Sequence, residues 1–265
     1  MKKYIAPCLI VIFLILILGF GYFYLKKDNN KEEDKSKTTT SENSVTTTVE
    51  KPKEGIMDGI EINYHASIKF NKNGKIIYFD PYKIDNTSND ADYIFITHSH
   101  YDHYSPDDIK KVMKNNTKFV ITSDLEDKIL SLGVISSNIL TVYPNENHSI
   151  DDITFSTIPA YNINTSYHKK SYNWVGYNVK LDGYNYYIVG DSDATDELKK
   201  VKCDVIFIPV GGTYTMDYKD AALAVNEMKV KYAVPIHYGV VGSINDAESF
   251  VNSLGSNIKG VILKK

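Results

Sequence analysis

Hydrophobic and polar residues fall into three blocks along the chain. Met1-Lys2-Lys3 leads into an almost uninterrupted apolar run over residues 4–25, closed by Lys26-Lys27. About twenty apolar residues suffice to span a bilayer, so residues 1–27 predict an N-terminal membrane anchor. A cleaved secretory signal is the competing reading, but the run is long for a signal core and no small-x-small cleavage site follows it. Phe20, Tyr22, Phe23 and Tyr24 gather at its far end, where aromatics fit a membrane interface. Residues 28–55 are rich in Lys, Glu, Asp, Ser and Thr and have little to bury, which predicts a flexible polar linker. Lysines flank both ends of the apolar run, so the positive-inside rule votes weakly; the polar linker favours a cell-membrane protein whose domain faces outward.

From residue 56 to 265 the pattern is that of one globular domain. Short alternating or apolar runs at 60–64, 67–70 and 75–79 predict strands, with Asn73-Gly74 as a hairpin turn, so the domain opens as a meander. A buried strand is expected at 93–97, a helix at 106–113 with Ser105 as cap and Pro106 at its first position, a strand at 119–122, a helix at 124–132 ended by Gly133, and a strand at 139–142. Further strands are expected at 153–158, 175–181, 184–189, 205–209 and 232–235, with Asp182-Gly183 as a hairpin turn. Helices at 218–228 and 246–254 complete an α/β pattern, and no sequence repeat relates the two halves.

Composition narrows the function. Apolar and aromatic fractions of 43% and 12% are ordinary for a chain that buries a core. The net charge is −3, all 30 basic residues are lysine, and there is no arginine. Bidentate guanidinium forks for phosphate are therefore missing, and no basic stripe suggests nucleic-acid binding. Of the 2 cysteines, Cys8 lies in the apolar run and Cys203 beside an apolar strand, so the domain has no disulfide framework.

The strongest chemical signal is Thr97-His98-Ser99-His100-Tyr101-Asp102-His103, on the loop between the 93–97 strand and the following helix. Three imidazoles and a carboxylate at this spacing suit one or two divalent metals, with zinc the default and manganese or iron as alternatives. His98 and His100 are two apart, so extended backbone would put both rings on one side. A chance cluster of polar loop residues is the bland reading, and it requires all four to coincide. This spacing resembles the His-x-His-x-Asp-His motif of the metallo-β-lactamase-fold hydrolases. The resemblance implies an αββα sandwich of two mixed sheets flanked by helices.

Later motifs extend the likeness. Gly190-Asp191-Ser192 follows an apolar strand, and His237 follows Val234-Pro235-Ile236. Alone, Asp191 reads equally as a turn or cap residue and His237 as a hydrogen-bonded loop histidine; beside the first motif, both match the family's later ligand positions. Tyr64-His65-Ala66-Ser67 with Asp80-Pro81, Pro159-Ala160-Tyr161-Asn162, Trp174-Val175-Gly176-Tyr177 and Gly211-Gly212-Thr213-Tyr214 resemble the branch of ascorbate-phosphate lactonase-like hydrolases. The resemblance covers residues 60–245. It implies one ion on His98 and His100, a second held or oriented by Asp102, His103 and His237, and Asp191 as a bridge. Asp102 would also orient the attacking water. His65 and Tyr214 are candidate substrate contacts, with packing roles equally open.

One departure stands out, because many relatives carry a histidine where this chain has Asn162. An amide oxygen is a weaker zinc ligand than imidazole. Either the first site is weak or another residue fills it, and His168, six residues on, could do so with Asn162 orienting it or a bound water. A solvated His168 beside Lys169-Lys170 is the alternative. The expected function is thus a membrane-anchored, metal-dependent hydrolase of a small ester, lactone or phosphodiester, acting on a small molecule and not on nucleic acid. A catalytically impaired metal- or ligand-binding module of the same fold is the second reading, and a surface interaction protein with structural metals the third.

Overall fold

The computed structural model describes residues 55–263. The expected anchor over 1–27 and nearly all of the expected linker lie outside the described residues. Among the described residues, no helix is long and apolar enough to cross a membrane.

Two mixed sheets carry the domain. The first has six strands in chain order: β1 (Ile60–Tyr64), β2 (Ser67–Lys72), β3 (Lys75–Phe79), β4 (Ala91–Phe95), β5 (Met113–Thr122) and β6 (Ile139–Val142). It begins with the antiparallel meander and turns parallel from β3 onward. The second sheet has seven strands, β7 (Asn147–Ile150), β8 (Ile153–Pro159), β9 (Val175–Leu181), β10 (Tyr184–Ile188), β11 (Val205–Pro209), β12 (Tyr232–Ile236) and β13 (Lys259–Gly260), also in chain order. Its pairs are antiparallel from β7 to β10 and parallel from β10 to β13. The helices are α1 (Pro106–Val112), α2 (Glu126–Leu130), α3 (Asp196–Lys199), α4 (Tyr218–Glu227) and α5 (Asp246–Asn252).

Residue parity explains the layering, since successive strand side chains point to opposite faces. Tyr93 and Phe95 of β4, Tyr186 and Ile188 of β10, and Val205 and Phe207 of β11 share one core between the sheets. Their neighbours Ile94 and Ile96 pack outward with Ile109 and Val112 of α1. Ile206 and Ile208 pack outward with Ala221 and Val225 of α4 and Phe250 of α5. Both faces of the central strands are buried, which is why those segments read as continuous apolar runs. The result is the expected αββα sandwich.

The structure adjusts several boundaries. β5 starts at Met113, six residues before the expected 119, because the polar stretch after α1 is held extended and pairs with β4 at Ala91. The expected 124–132 helix is split into a 3-10 turn at Ser123–Leu125 and α2, with Asp124 accepting a hydrogen bond from Trp174 Nε1 (2.9 Å). The polar edge strand β7 and the two-residue β13 lack the alternation that would have announced them.

Candidate metal centre

Both sheets direct chemistry to one end. The loop after β4 carries His98, His100, Asp102 and His103; the loop after β8 carries Asn162 and His168; Asp191 follows β10, and His237 follows β12. His65 enters from the turn between β1 and β2. The loops after β4, β10 and β12 leave the carboxyl ends of strands with parallel partners, where α/β architectures hold side chains on a rigid frame. Val175 N donates to Thr97 O (3.2 Å), tying the sheets together beside the cluster.

Local backbone serves close approach. Gly190 has φ +70°, and a Cβ there would lie 3.1 Å from the Thr97 side chain, so glycine lets Asp191 reach the histidine loop. Gly211 is tighter, for its Cβ would meet His237 O at 2.3 Å. His65 (φ 55°), Asp80 (φ 46°) and His237 (φ 55°) all adopt the left-handed region. Such conformations cost free energy and concentrate at functional sites.

Three groups of ligand-type atoms form, each with its atoms within 4.8 Å of one another: His98, His100 and His168; His98, His103 and Asp191; and His65, Asp102 and His237. Asp191 is central. Its Oδ1 lies 3.2 Å from His103 Nε2, and its Oδ2 lies 3.1 Å from His237 Nε2, 3.4 Å from His168 Nε2 and 3.9 Å from His98 Nε2. Asp102 Oδ2 stands 3.5 Å from His65 Nε2, 3.7 Å from His237 Nε2 and 3.8 Å from His103 Nε2.

Hydrogen bonds around the cluster orient its rings. His103 Nδ1 donates to Asp80 Oδ2 (2.7 Å), and Asp80 also accepts from Thr97 N and Thr97 Oγ1. His98 Nδ1 donates to Thr97 Oγ1 (3.0 Å). His168 Nδ1 donates to Asn162 Oδ1 (2.9 Å), while Asn162 Nδ2 donates to Asp193 Oδ1 and Tyr214 O. Each bond fixes one ring nitrogen and leaves Nε2 facing the cluster, as second-shell partners do for metal-binding histidines.

The remaining atoms fit a cation. Nε2 of His65, His98, His103, His168 and His237, with Asp191 Oδ1, are buried and have no hydrogen-bond partner. Buried polar atoms are rarely left unpaired unless a function or an ion accounts for them. Electrostatics agrees. Burial alone would raise the Asp191 carboxyl, yet His103 and His237 hold it well below the usual carboxylate range. Burial lowers His98 well below the ordinary imidazole value, aided by His103. For His237 burial also opposes charge, but Asp191 and Asp102 outweigh it and push the ring up to about 9. The cluster thus demands positive charge near its two carboxylates, and imidazole protons supply in part what divalent ions would supply in full.

The sequence candidates are all in this region, with distinct positions. His168, not Asn162, is brought to His98 and His100; Asn162 instead supports the His168 ring. His65 stacks on His237 with ring centroids 3.7 Å apart. Tyr214 does not reach the ligand cluster with a hydrogen bond; it lines the cavity above it, its ring edge-on to Tyr167 at 4.8 Å. Asp80, Thr97 and Trp174 were given no role by sequence reasoning. Trp174 packs 4.8 Å from both His98 and His100. The signal for Asp80 was present, since Asp80-Pro81 directly follows an apolar strand.

Comparison with known proteins places this geometry. The family model described as "Beta-lactamase superfamily domain" matches residues 60–237. A UPF0173 metal-dependent hydrolase of Sulfurisphaera tokodaii is 30% identical over 219 residues, covering 76% of this chain and 93% of that protein. A UPF0173 metal-dependent hydrolase of Pyrococcus furiosus is 30% identical over 182 residues, covering 66% and 79%. The crystal structure of a putative metal-dependent hydrolase from Parabacteroides distasonis superposes with a TM-score of 0.67 at 28% identity, covering 77% of this chain and 93% of that one. With the two-sheet frame and the His/Asp cluster at its rim, these matches show that the chain belongs to the beta-lactamase superfamily domain family, as a metal-dependent hydrolase of the metallo-β-lactamase fold.

Proposed function

We propose that the protein is a membrane-anchored hydrolase that uses water activated at one or two divalent ions, zinc by default, on a small ester, lactone or phosphodiester. The observation that carries this reading is the set of buried, unpartnered imidazole Nε2 atoms arranged around Asp191. His98, His100 and His168 would hold one ion, Asp102, His103 and His237 the other, and Asp191 both. Bound ions supply Lewis acidity, making water a nucleophile near neutral pH and offsetting negative charge that develops on the attacked group.

The protein's own residues do the rest. Asp80, Thr97 and Asn162 fix ring tautomers, so that the ligand nitrogens meet a cation already oriented. Asp102 is the more accessible carboxylate, its side chain 15% exposed against 4% for Asp191. Against burial, the His237 and His65 rings beside it hold its carboxyl well below the usual carboxylate range, so it stays ionised and is fitted to orient water. Tyr214 and Tyr101 present phenol groups at the cavity wall, where a substrate oxygen would be received. The likeness to the ascorbate-phosphate lactonase-like branch supports a lactone as one such substrate. Asn162, the residue that favoured an impaired binder, accepts the His168 ring N–H, which favours the enzyme reading over it.

The apolar run over 4–25 supports a single-pass anchor with the domain outside the cytoplasm. The test is metal content by mass spectrometry together with turnover of an ester and of bis(p-nitrophenyl) phosphate, for wild type, His98→Ala and Asp191→Ala. The reading expects about two ions in wild type, fewer in both variants, and turnover lower by at least about a thousandfold in each. Undiminished turnover in folded variants would overturn it. Alkaline extraction of membranes tests the anchor, which predicts retention in the pellet.

A further inference from the structure

Two cavities flank the metal centre. The one above it has a volume of 210 Å³, with Tyr101, Tyr167, Tyr214 and Val241 in its wall beside the candidate ligands. The second is a larger groove of 490 Å³ bounded by Ile62, Tyr64, Pro235, Val240, Ile244 and Leu263. His65 joins them. It lines the groove, while its Nε2 is 3.5 Å from Asp102 and its ring stacks on His237. The loop after β12 borders both, because His237 and Val241 face the small cavity whereas Tyr238, Val240 and Ile244 face the groove.

Charge and size then constrain what enters. Among the described residues no lysine lines either cavity, and the carboxylates there are Asp102, Asp191 and Glu248. A phosphate or carboxylate carried into the groove would face Glu248 and no lysine of its described lining. The small cavity falls below the roughly 300–1,000 Å³ of drug-sized sites, so it takes little beyond a reacting group. The loops that bring the ligands also expose apolar side chains, Tyr101 at 74% and Ile244 at 70%. Exposed apolar surface continuous with a groove beside a reactive centre marks a binding face.

We propose that the substrate is an uncharged amphiphilic acyl ester or lactone, with its carbonyl over the metal centre and its hydrocarbon arm in the groove of Ile62, Pro235, Val240 and Ile244. This rests on the hydrolase reading above. Water oxygen bonds to the carbonyl carbon, the acyl C–O bond breaks, the departing oxygen takes one proton, and the acid product releases the other as a carboxylate.

The test uses the full-length, metal-loaded protein and p-nitrophenyl acetate, butyrate and hexanoate. Burying each methylene supports about a fourfold gain, so kcat/KM should rise about fifteenfold for every two carbons. In Ile244→Asp and Val240→Asp, both at exposed positions, the hexanoate-to-acetate ratio should collapse toward one. A flat wild-type series, or an unaltered ratio in both variants, overturns the proposal. Octanamide binding by calorimetry, with the same variants, separates the two levels of the argument. Binding that the variants abolish, without ester turnover, would sink the reaction class and support the groove; no binding to wild type would overturn the groove whatever the turnover.

Discussion

The interior between the sheets and the cluster at its rim are built from the same strands, yet they treat polar atoms in opposite ways. In the interior Phe70, Phe79 and Phe95 meet at ring distances of 5.3 and 5.0 Å, and Phe95 meets Tyr177 at 5.2 Å. The polar atoms that enter it are paired, Tyr177 Oη donating to Ile96 O (2.8 Å) and Tyr186 Oη to Ile56 O (2.6 Å). A few residues further along those strands, imidazole nitrogens and a carboxylate oxygen are buried without partners, and His65 and His237 hold left-handed backbone. Satisfied contacts accumulate where the fold is stabilised, and unsatisfied ones where a ligand is to supply the missing interactions.

Substitutions should separate the two regions. Phe95→Ala removes a fully buried ring from the shared core and should cost about 3–5 kcal/mol in urea unfolding, while the fraction that remains folded keeps its metal content. A loss of metal at unchanged stability would break the distinction. Asp80→Asn should do the reverse. It keeps the shape but withdraws the carboxylate from His103, so metal affinity in chelator competition should fall about 10- to 100-fold with the circular dichroism spectrum unchanged. Asn162→Ala should weaken binding less, about tenfold, because Asn162 N still donates to His168 O (2.7 Å) and holds the loop closed. The smallest effect is expected at Cys203, in the outer core behind the second sheet. Burial pushes its thiol up to about 12, so iodoacetamide at pH 8 should label it in urea but scarcely in the native protein; rapid native labelling, read by peptide mass mapping, would contradict that burial.

How much could be read beforehand followed from how local each signal is. The meander, the Asn73-Gly74 and Asp182-Gly183 turns, and the strands at Val175–Leu181 and Val205–Pro209 carry their own pattern, so they were legible, those last two strands to the residue and the meander's middle strand two residues short. β7 was not, because an edge strand of Asn147, His148 and Ser149 forms through pairing with β8 and lacks an apolar face of its own. Within the centre, the compact 98–103 motif announced itself, whereas Asp80 is separated by 23 positions from the His103 it orients. The choice between Asn162 and His168 was likewise open in sequence, since both lie on one irregular loop and only its folded path decides which side chain reaches His98.

The amino-acid sequence by itself determined most strands and turns, the metal-binding residue types and the family resemblance from which the layer order followed, because strand periodicity, turn residues and a six-residue histidine motif are local properties of the chain. Only the tertiary structure decided which nitrogen faces the centre, that Asp191 sits among four imidazoles, and that an apolar groove opens beside it. Those features depend on distances between segments far apart in sequence, and two packed sheets set such distances where no local pattern can.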